Sequence, residues 1–146
     1  MKAKQLLNGR TRKTAAGFTL IEVLVVVLIL SILMAIALPL YLNSVKDSAK
    51  KTCRANMQTI ANAVQANRVT TRAANYLGYA GAVSVAKEPD LQAVPVCPDA
   101  GAYTIVTAGN LNDANGVATA IPAGGFGVSC SAATGHGGFI PGSMSN

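Results

Sequence analysis

The sequence predicts an α+β protein in which one long amino-terminal helix packs under a small antiparallel β-sheet head. Three observations predict this architecture. The run from Phe18 to Leu42 is almost wholly apolar, and no Gly or Pro interrupts the chain between Leu40 and Leu77. Short runs rich in β-branched and aromatic residues then follow among turn signals. With 146 residues, the chain has room for one domain of this kind.

A basic leader, residues 1–17, precedes the apolar run. It carries five bases and no acid: Lys2, Lys4, Arg10, Arg12 and Lys13. If the leader is removed, seven bases remain against six acids. The formal charge of +6 is therefore weak evidence for a nucleic-acid partner, because it resides largely in the leader.

Residues 18–42 are predicted to form a transmembrane helix. These 25 residues would span roughly 37 Å, against a hydrocarbon core of about 30 Å. Glu22 stands alone as an acid in this run, at a cost on the order of 3 kcal/mol at bilayer depth, so it needs a partner. An ordinary secretory signal cleaved after Ala37 is the alternative, but the length of the run and Glu22 argue against it.

Residues 43–75 are predicted to continue the helix as its amphipathic half. Apolar or small residues recur at steps of three and four, which places them on one helical face. They are Val45, Ala49, Cys53, Met57, Ile60 and Val64. The helix is expected to run from Phe18 to about Ala74 and to end at the Gly78–Gly81 region.

A basic cluster lies just past the membrane segment. It comprises Lys46, Lys50, Lys51 and Arg54. A solvated helix face is the favoured interpretation. The alternatives are lipid headgroups, nucleic acid, or acids of a neighbouring subunit. The acids considered are Glu88, Asp90, Asp99 and Asp113.

Residues 76–146 are predicted to form a small glycine-rich β head. The expected strands lie within Ala102–Ala108, Val117–Ile121 and Phe126–Cys130, with a turn at Asn115-Gly116. The tail from Ser131 to Asn146 is expected to be a loosely packed surface segment.

Three cysteines, Cys53, Cys97 and Cys130, allow three disulfide pairs. The predicted pair is Cys97 with Cys130, because it would clamp both ends of the sheet. Such a bond would contribute on the order of 3.5 kcal/mol. Cys53 is then expected to be a buried small hydrophobe on the helix.

The sequence carries no pattern typical of an enzyme or a metal site. The single histidine, His136, lies among glycines and is expected to be a neutral surface residue, so we expect no catalysis and no resident cofactor. The segment 112–116 is better explained as a turn than as a calcium loop. A calcium ion held by Asp90, Asp99 and Asp113 is the one metal hypothesis considered.

The junction Gly17-Phe18-Thr19-Leu20-Ile21-Glu22, after a basic leader and before an uncharged run, resembles the processing motif of type IV pilins and type II secretion pseudopilins. The resemblance implies a pilin fold, cleavage between Gly17 and Phe18 by a prepilin peptidase, and N-methylation of Phe18. It also implies that Glu22 faces the terminal ammonium of a neighbouring subunit, since a buried charge is tolerable when paired. Pro39 matches a proline associated with bending of the helix during assembly.

As a member of that family, the chain would be a precursor held in the bacterial inner membrane, with its head outside the cytoplasm, before polymerising into a pilus. The implied partners are related pilin subunits, membrane lipid, the peptidase, a platform protein and an assembly ATPase. Adhesion, motility, DNA uptake and secretion filaments share this amino-terminal half. The alternative function is a monomeric membrane-anchored or Sec-secreted module that binds DNA or another ligand.

Overall fold

The computed structural model describes residues 17–113, 115–133 and 135–143. Within them, the helix α1 spans Leu20–Thr71 and a 3-10 helix spans Leu77–Tyr79. The strands are β1 Gly81–Ala82, β2 Tyr103–Val106, β3 Asn110–Asn112, β4 Ala118–Ala120, β5 Gly127–Cys130 and β6 Gly138–Phe139. This element order confirms the predicted α+β class, with one long helix followed by a small antiparallel sheet.

The chain divides after Leu40 into two units. In the first unit, every described residue is exposed. By length and composition α1 can cross a membrane, and no part of its most apolar stretch is buried within the described structure. A stretch of this kind needs lipid or other protein to cover it.

In the second unit, the strands form a four-stranded antiparallel sheet in the order β1-β2-β5-β6 and a separate hairpin of β3 with β4. The central pairing places Tyr103 opposite Cys130 and Ile105 opposite Val128. Tyr103 and Ile105 are buried while Thr104 is half-buried, which is the alternation of a strand with one face on the core. The three predicted strands are confirmed, and β1, β3 and β6 are additional.

One face of α1 packs into the core of the second unit. Cys53, Met57, Ile60 and Val64 are buried, as the spacing predicted. Val45, at the start of the predicted stripe, is 47% exposed. The helix residues share one apolar cluster with residues of the sheet and its loops, including Tyr103, Ile105, Phe126 and Val128.

The helix α1 ends at Thr71, three residues before the predicted end near Ala74. Arg72 adopts the left-handed conformation, with φ 52°. Its N–H donates to the carbonyl of Val69, and the N–H of Ala73 donates to the carbonyl of Arg68. These two bonds make a Schellman motif with arginine where glycine is usual. The helix therefore stops before the glycines that were expected to end it.

The expectation of a loosely packed tail is wrong for the described part of residues 131–143. Ile140 is fully buried, and β6 pairs with β5 through Val128 and Phe139. A Cβ on Gly138 would lie 3.1 Å from Leu111 Cδ1. Glycine thus allows a close approach here, so the same composition that suggested mobility is compatible with a packed strand.

Candidate functional site

The first turn of α1 is closed by reciprocal hydrogen bonds between Thr19 and Glu22. Glu22 Oε2 accepts from the backbone N–H and from the hydroxyl of Thr19, both at 2.7 Å. In return, Thr19 Oγ1 accepts the N–H of Glu22 at 3.3 Å. This is a capping box, which satisfies donors that a helix start otherwise leaves open. Glu22 therefore has a role within its own chain, besides the role predicted toward a neighbour.

Gly17 and Phe18, the predicted cleavage pair, lie just before α1. Phe18 is 89% exposed. A Cβ added to Gly17 would meet no atom of the described structure within 4 Å. Packing within the described part of the chain therefore does not require glycine at position 17.

Pro39 lies inside α1, where it cannot donate a backbone hydrogen bond. Its apolar neighbours Leu38 and Leu40 are both more than half exposed. The bend expected at Pro39 during assembly stays a prediction.

The three cysteines converge in the second unit. Cys53 is on α1, Cys97 is in the loop before β2, and Cys130 ends β5. Their thiols are free, and Cys97 Sγ lies 3.5 Å from Cys130 Sγ and 3.8 Å from Cys53 Sγ. The Cys97–Cys130 disulfide stays a prediction, and Cys53 Sγ is only 0.3 Å farther from Cys97 Sγ than the expected partner is.

His136 lies in the same cluster. It is buried, with 2% of its surface exposed, so the expected surface position is wrong. Its Nδ1 lies 3.3 Å from Cys97 Sγ, and its Nε2 lies 2.9 Å from Asp99 Oδ2. The Cys130 N–H donates to the carbonyl of Gly137, and this bond folds the segment after β5 back onto the sheet and carries His136 inward.

The thiols differ in acidity because their surroundings differ. Burial acts to raise the pKa of Cys97, but backbone N–H groups of Asp99 and Gly101 donate to its sulfur, and the pKa falls to about 7. Burial raises the pKa of Cys53 to about 12. The Tyr103 hydroxyl, which donates to the Cys53 sulfur, lowers this pKa, but burial has the larger effect. Burial also raises the pKa of Cys130. Cys97 is therefore the most readily ionised of the three.

Glu88 is fully buried and is thus unavailable to a basic cluster on a neighbouring subunit. Its Oε2 accepts the N–H of Ser84 at 3.2 Å, whereas Oε1 has no hydrogen-bond partner among the described residues. Burial raises the pKa of this carboxyl. In the basic cluster itself, Lys46 and Lys51 are exposed, as expected of a solvated helix face.

Two of the three acids of the calcium hypothesis, Asp99 and Asp113, take part in separate hydrogen bonds. Asp113 Oδ1 accepts the N–H groups of Asn115 and Val117, each at 2.8 Å. These bonds order the connection between β3 and β4, so the turn interpretation of this segment is confirmed. Asp99 instead contacts His136. Calcium binding by these acids stays a prediction.

Two features of the site were missed by reasoning from the sequence. Thr19-x-x-Glu22 has the capping-box pattern, and this signal was available. The meeting of His136 with the cysteines had a weaker signal, because Cys130 and His136 are separated by five residues rather than by the short spacing of common zinc motifs.

The chain was also compared with known proteins. Residues 12–38 match the family model of the prokaryotic N-terminal methylation motif. No curated protein and no solved structure gives a significant match. The matched segment contains the Gly17–Phe18 junction, the capping box and most of the exposed apolar stretch. The chain therefore carries, at its amino-terminal end, the signature of type IV pilins and pseudopilins.

Proposed function

We propose that this chain is the precursor of a filament subunit, cleaved between Gly17 and Phe18 by a prepilin peptidase and N-methylated at Phe18. The observation that carries the proposal is the methylation motif over residues 12–38. This motif extends into an apolar helix whose most apolar stretch is not buried by any described part of the chain. Within the described residues, no atom lies within 4 Å of a Cβ built on Gly17, which supports a glycine kept for the peptidase.

The exposed apolar surface has two successive partners in this proposal. Before assembly it lies in the inner membrane, with the second unit outside the cytoplasm. After assembly the same surface packs against other subunits in the filament core, which keeps it out of water. A platform protein and an assembly ATPase would drive this transfer.

Glu22 becomes the fifth residue of the processed chain and pairs with the Phe18 ammonium of a neighbouring subunit. The geometry of the capping box supports this role. Both bonds from Thr19 use Oε2, which leaves Oε1 for a second donor. An ammonium in an apolar filament core would bind a carboxylate held in this way, because each charge needs the other there.

Processing is tested by intact mass and N-terminal sequencing of the protein isolated from its host membranes. The expected product starts at methylated Phe18, and Gly17→Asp should accumulate as the uncleaved precursor. A chain that retains Met1, or one that starts at Leu38, would contradict the proposal. The first would indicate a simple anchor and the second a secreted binding module.

Two variants separate the charge of Glu22 from its capping role. Glu22→Gln keeps an acceptor oxygen for Thr19 but loses the charge. Thr19→Val keeps the charge and the backbone N–H bond to Glu22, but it removes the two capping bonds that use the Thr19 hydroxyl. We expect both to be processed, with filaments lost in Glu22→Gln and retained in Thr19→Val. Normal filaments from Glu22→Gln would refute the charge pairing, and equal loss in both variants would assign the effect to helix capping.

A further inference from the structure

Four metal-ligating side chains meet in the second unit. One ligand atom from each lies within 4.8 Å of every other. We propose that this cluster binds one Zn²⁺ ion through three thiolates and one imidazole. The four ligands are Cys53, Cys97, Cys130 and His136. The combination of three sulfurs and one nitrogen is a donor set that zinc takes in closed tetrahedral sites.

The distances around Cys97 are close to those of a tetrahedral site. With Zn–S and Zn–N distances of about 2.3 and 2.0 Å, two sulfurs lie roughly 3.8 Å apart, and a sulfur and a nitrogen roughly 3.5 Å apart. Cys97 Sγ lies 3.8 Å from Cys53 Sγ, 3.5 Å from Cys130 Sγ and 3.3 Å from His136 Nδ1. Each of these three edges is within a few tenths of an ångström of the zinc geometry.

A zinc ion uses all four groups, whereas a disulfide uses two. A Cys97–Cys130 bond would need the sulfurs at about 2.05 Å and would give no role to the Cys53 thiol or to the imidazole. His136 is buried and its Nδ1 lies 3.3 Å from Cys97 Sγ. This position suits a fourth zinc ligand beside the three sulfurs. The metal and the disulfide compete for the same sulfurs, so they are alternative states of one site.

The surroundings of the cluster hold its histidine in a fixed orientation. Asp99 Oδ2 lies 2.9 Å from His136 Nε2, so the Nε2–H can donate to the carboxylate while the Nδ1 lone pair faces the sulfurs. A carboxylate behind a histidine ligand is the usual way to fix that tautomer.

Each sulfur also has a hydrogen-bond donor. The backbone N–H of Gly101 donates to Cys97 Sγ, and that of Ala132 donates to Cys130 Sγ. The Tyr103 hydroxyl lies 3.5 Å from Cys53 Sγ. Such donors stabilise thiolates, which are the form that binds zinc, and the thiol protons leave as the metal enters.

The arrangement indicates a structural rather than a catalytic metal. Four protein ligands leave no open position for substrate. Three thiolates on Zn²⁺ carry a net charge of about −1. In the surface recess beside His136, Lys46 and Lys50 balance the acids Asp47 and Asp99, so the recess adds no net charge of its own. The ion would tie α1 to the loop before β2, to the end of β5 and to the turn that follows it.

The test uses the full chain, purified anaerobically in detergent without added metal or reductant. We expect one zinc per chain by elemental analysis, with the three thiols unreactive toward alkylation until a strong chelator is added. Replacement by Co²⁺ should give the intense visible bands of a tetrahedral ion and a sulfur-to-cobalt charge-transfer band. Asp99→Asn should weaken zinc affinity by roughly 10- to 100-fold, while Ser129→Ala, beside a ligand but not part of the set, should retain it.

Three outcomes would overturn the inference. The first is a Cys97–Cys130 disulfide in the freshly isolated chain with no bound metal. The second is a Co²⁺ spectrum without the thiolate band, and the third is unchanged zinc affinity in His136→Ala. The spectrum is recorded on the wild-type chain, so the test does not depend on whether a ligand variant folds.

Discussion

Gly101 lies where any side chain would collide with the end of β5 and the segment after it. A Cβ built there would be 2.6 Å from Cys130 Sγ and from the backbone nitrogen of Ala132, and 2.9 Å from Ala132 Cβ. None of these atoms is the far end of a flexible side chain. We therefore predict that Gly101→Ala destabilises the second unit by forcing β5 away from the loop before β2.

The magnitude follows from the size of the overlap. Ordinary contact begins at 3.4 Å, so the closest neighbours would have to move by about 0.8 Å. Inserting a methyl group into a site that cannot yield costs about 1 to 3 kcal/mol. For a unit of this size such a cost lowers the melting temperature by roughly 5 to 20 °C.

Gly78→Ala is the matched control. A Cβ on Gly78 would meet no atom of the described residues within 4 Å, so this variant should be neutral or more stable by about 0.4 to 1 kcal/mol. The chain has no tryptophan, so thermal unfolding of the full chain in detergent is followed by near-ultraviolet circular dichroism of its tyrosines. A Gly101→Ala chain that melts with the wild type, or an equal loss in Gly78→Ala, would refute the reasoning.

Three further variants test other parts of the second unit by the same unfolding assay. Burial raises the pKa of Glu88, so the folded chain holds that proton more tightly than the unfolded chain, and stability should fall as pH rises from about 4.5. Glu88→Gln should flatten this profile, and a flat wild-type profile would contradict the expectation. Arg72→Gly relieves the left-handed strain at the end of α1 and should raise the free energy of unfolding by about 0.5 to 1 kcal/mol. A lower free energy of unfolding would mean that the contacts of the Arg72 side chain stabilise the chain by more than the strain costs. Ile60→Ala empties a fully buried position and should cost about 2 to 5 kcal/mol, whereas a loss as small as that of the exposed Lys51→Ala would show that α1 is not packed on the sheet.

The amino-terminal site was predictable from the sequence because its signals are local. The length of the apolar run, the single acid within it and the glycine before Phe18 are all read along one helix, where spacing maps directly onto position. The capping box was missed, but its signal is local as well, because the Thr19-x-x-Glu22 spacing lies within one helical turn. The core face of α1 from Cys53 to Val64 followed from helical periodicity for the same reason.

The end of α1 and the packing of the tail were less predictable. Arg72 ends the helix in a conformation for which glycine is the usual signal, so composition pointed several residues too far along the chain. The glycines around His136 suggested mobility, but Gly138 lies in a strand where Leu111 approaches its backbone closely. Composition alone cannot tell a glycine that loosens a chain from one that permits close contact.

By itself, the sequence determined the α+β class, the long helix with its exposed apolar half and the junction that carries the methylation motif. Only the tertiary structure decided that Cys53, Cys97, Cys130 and His136 meet at one point. These four residues come from a helix, a loop, a strand and the turn after that strand, and only Cys130 and His136 are near each other in sequence. The antiparallel register of β2 with β5 and the return of the chain after β5 bring them together, and such long-range contacts leave no periodic trace along the chain.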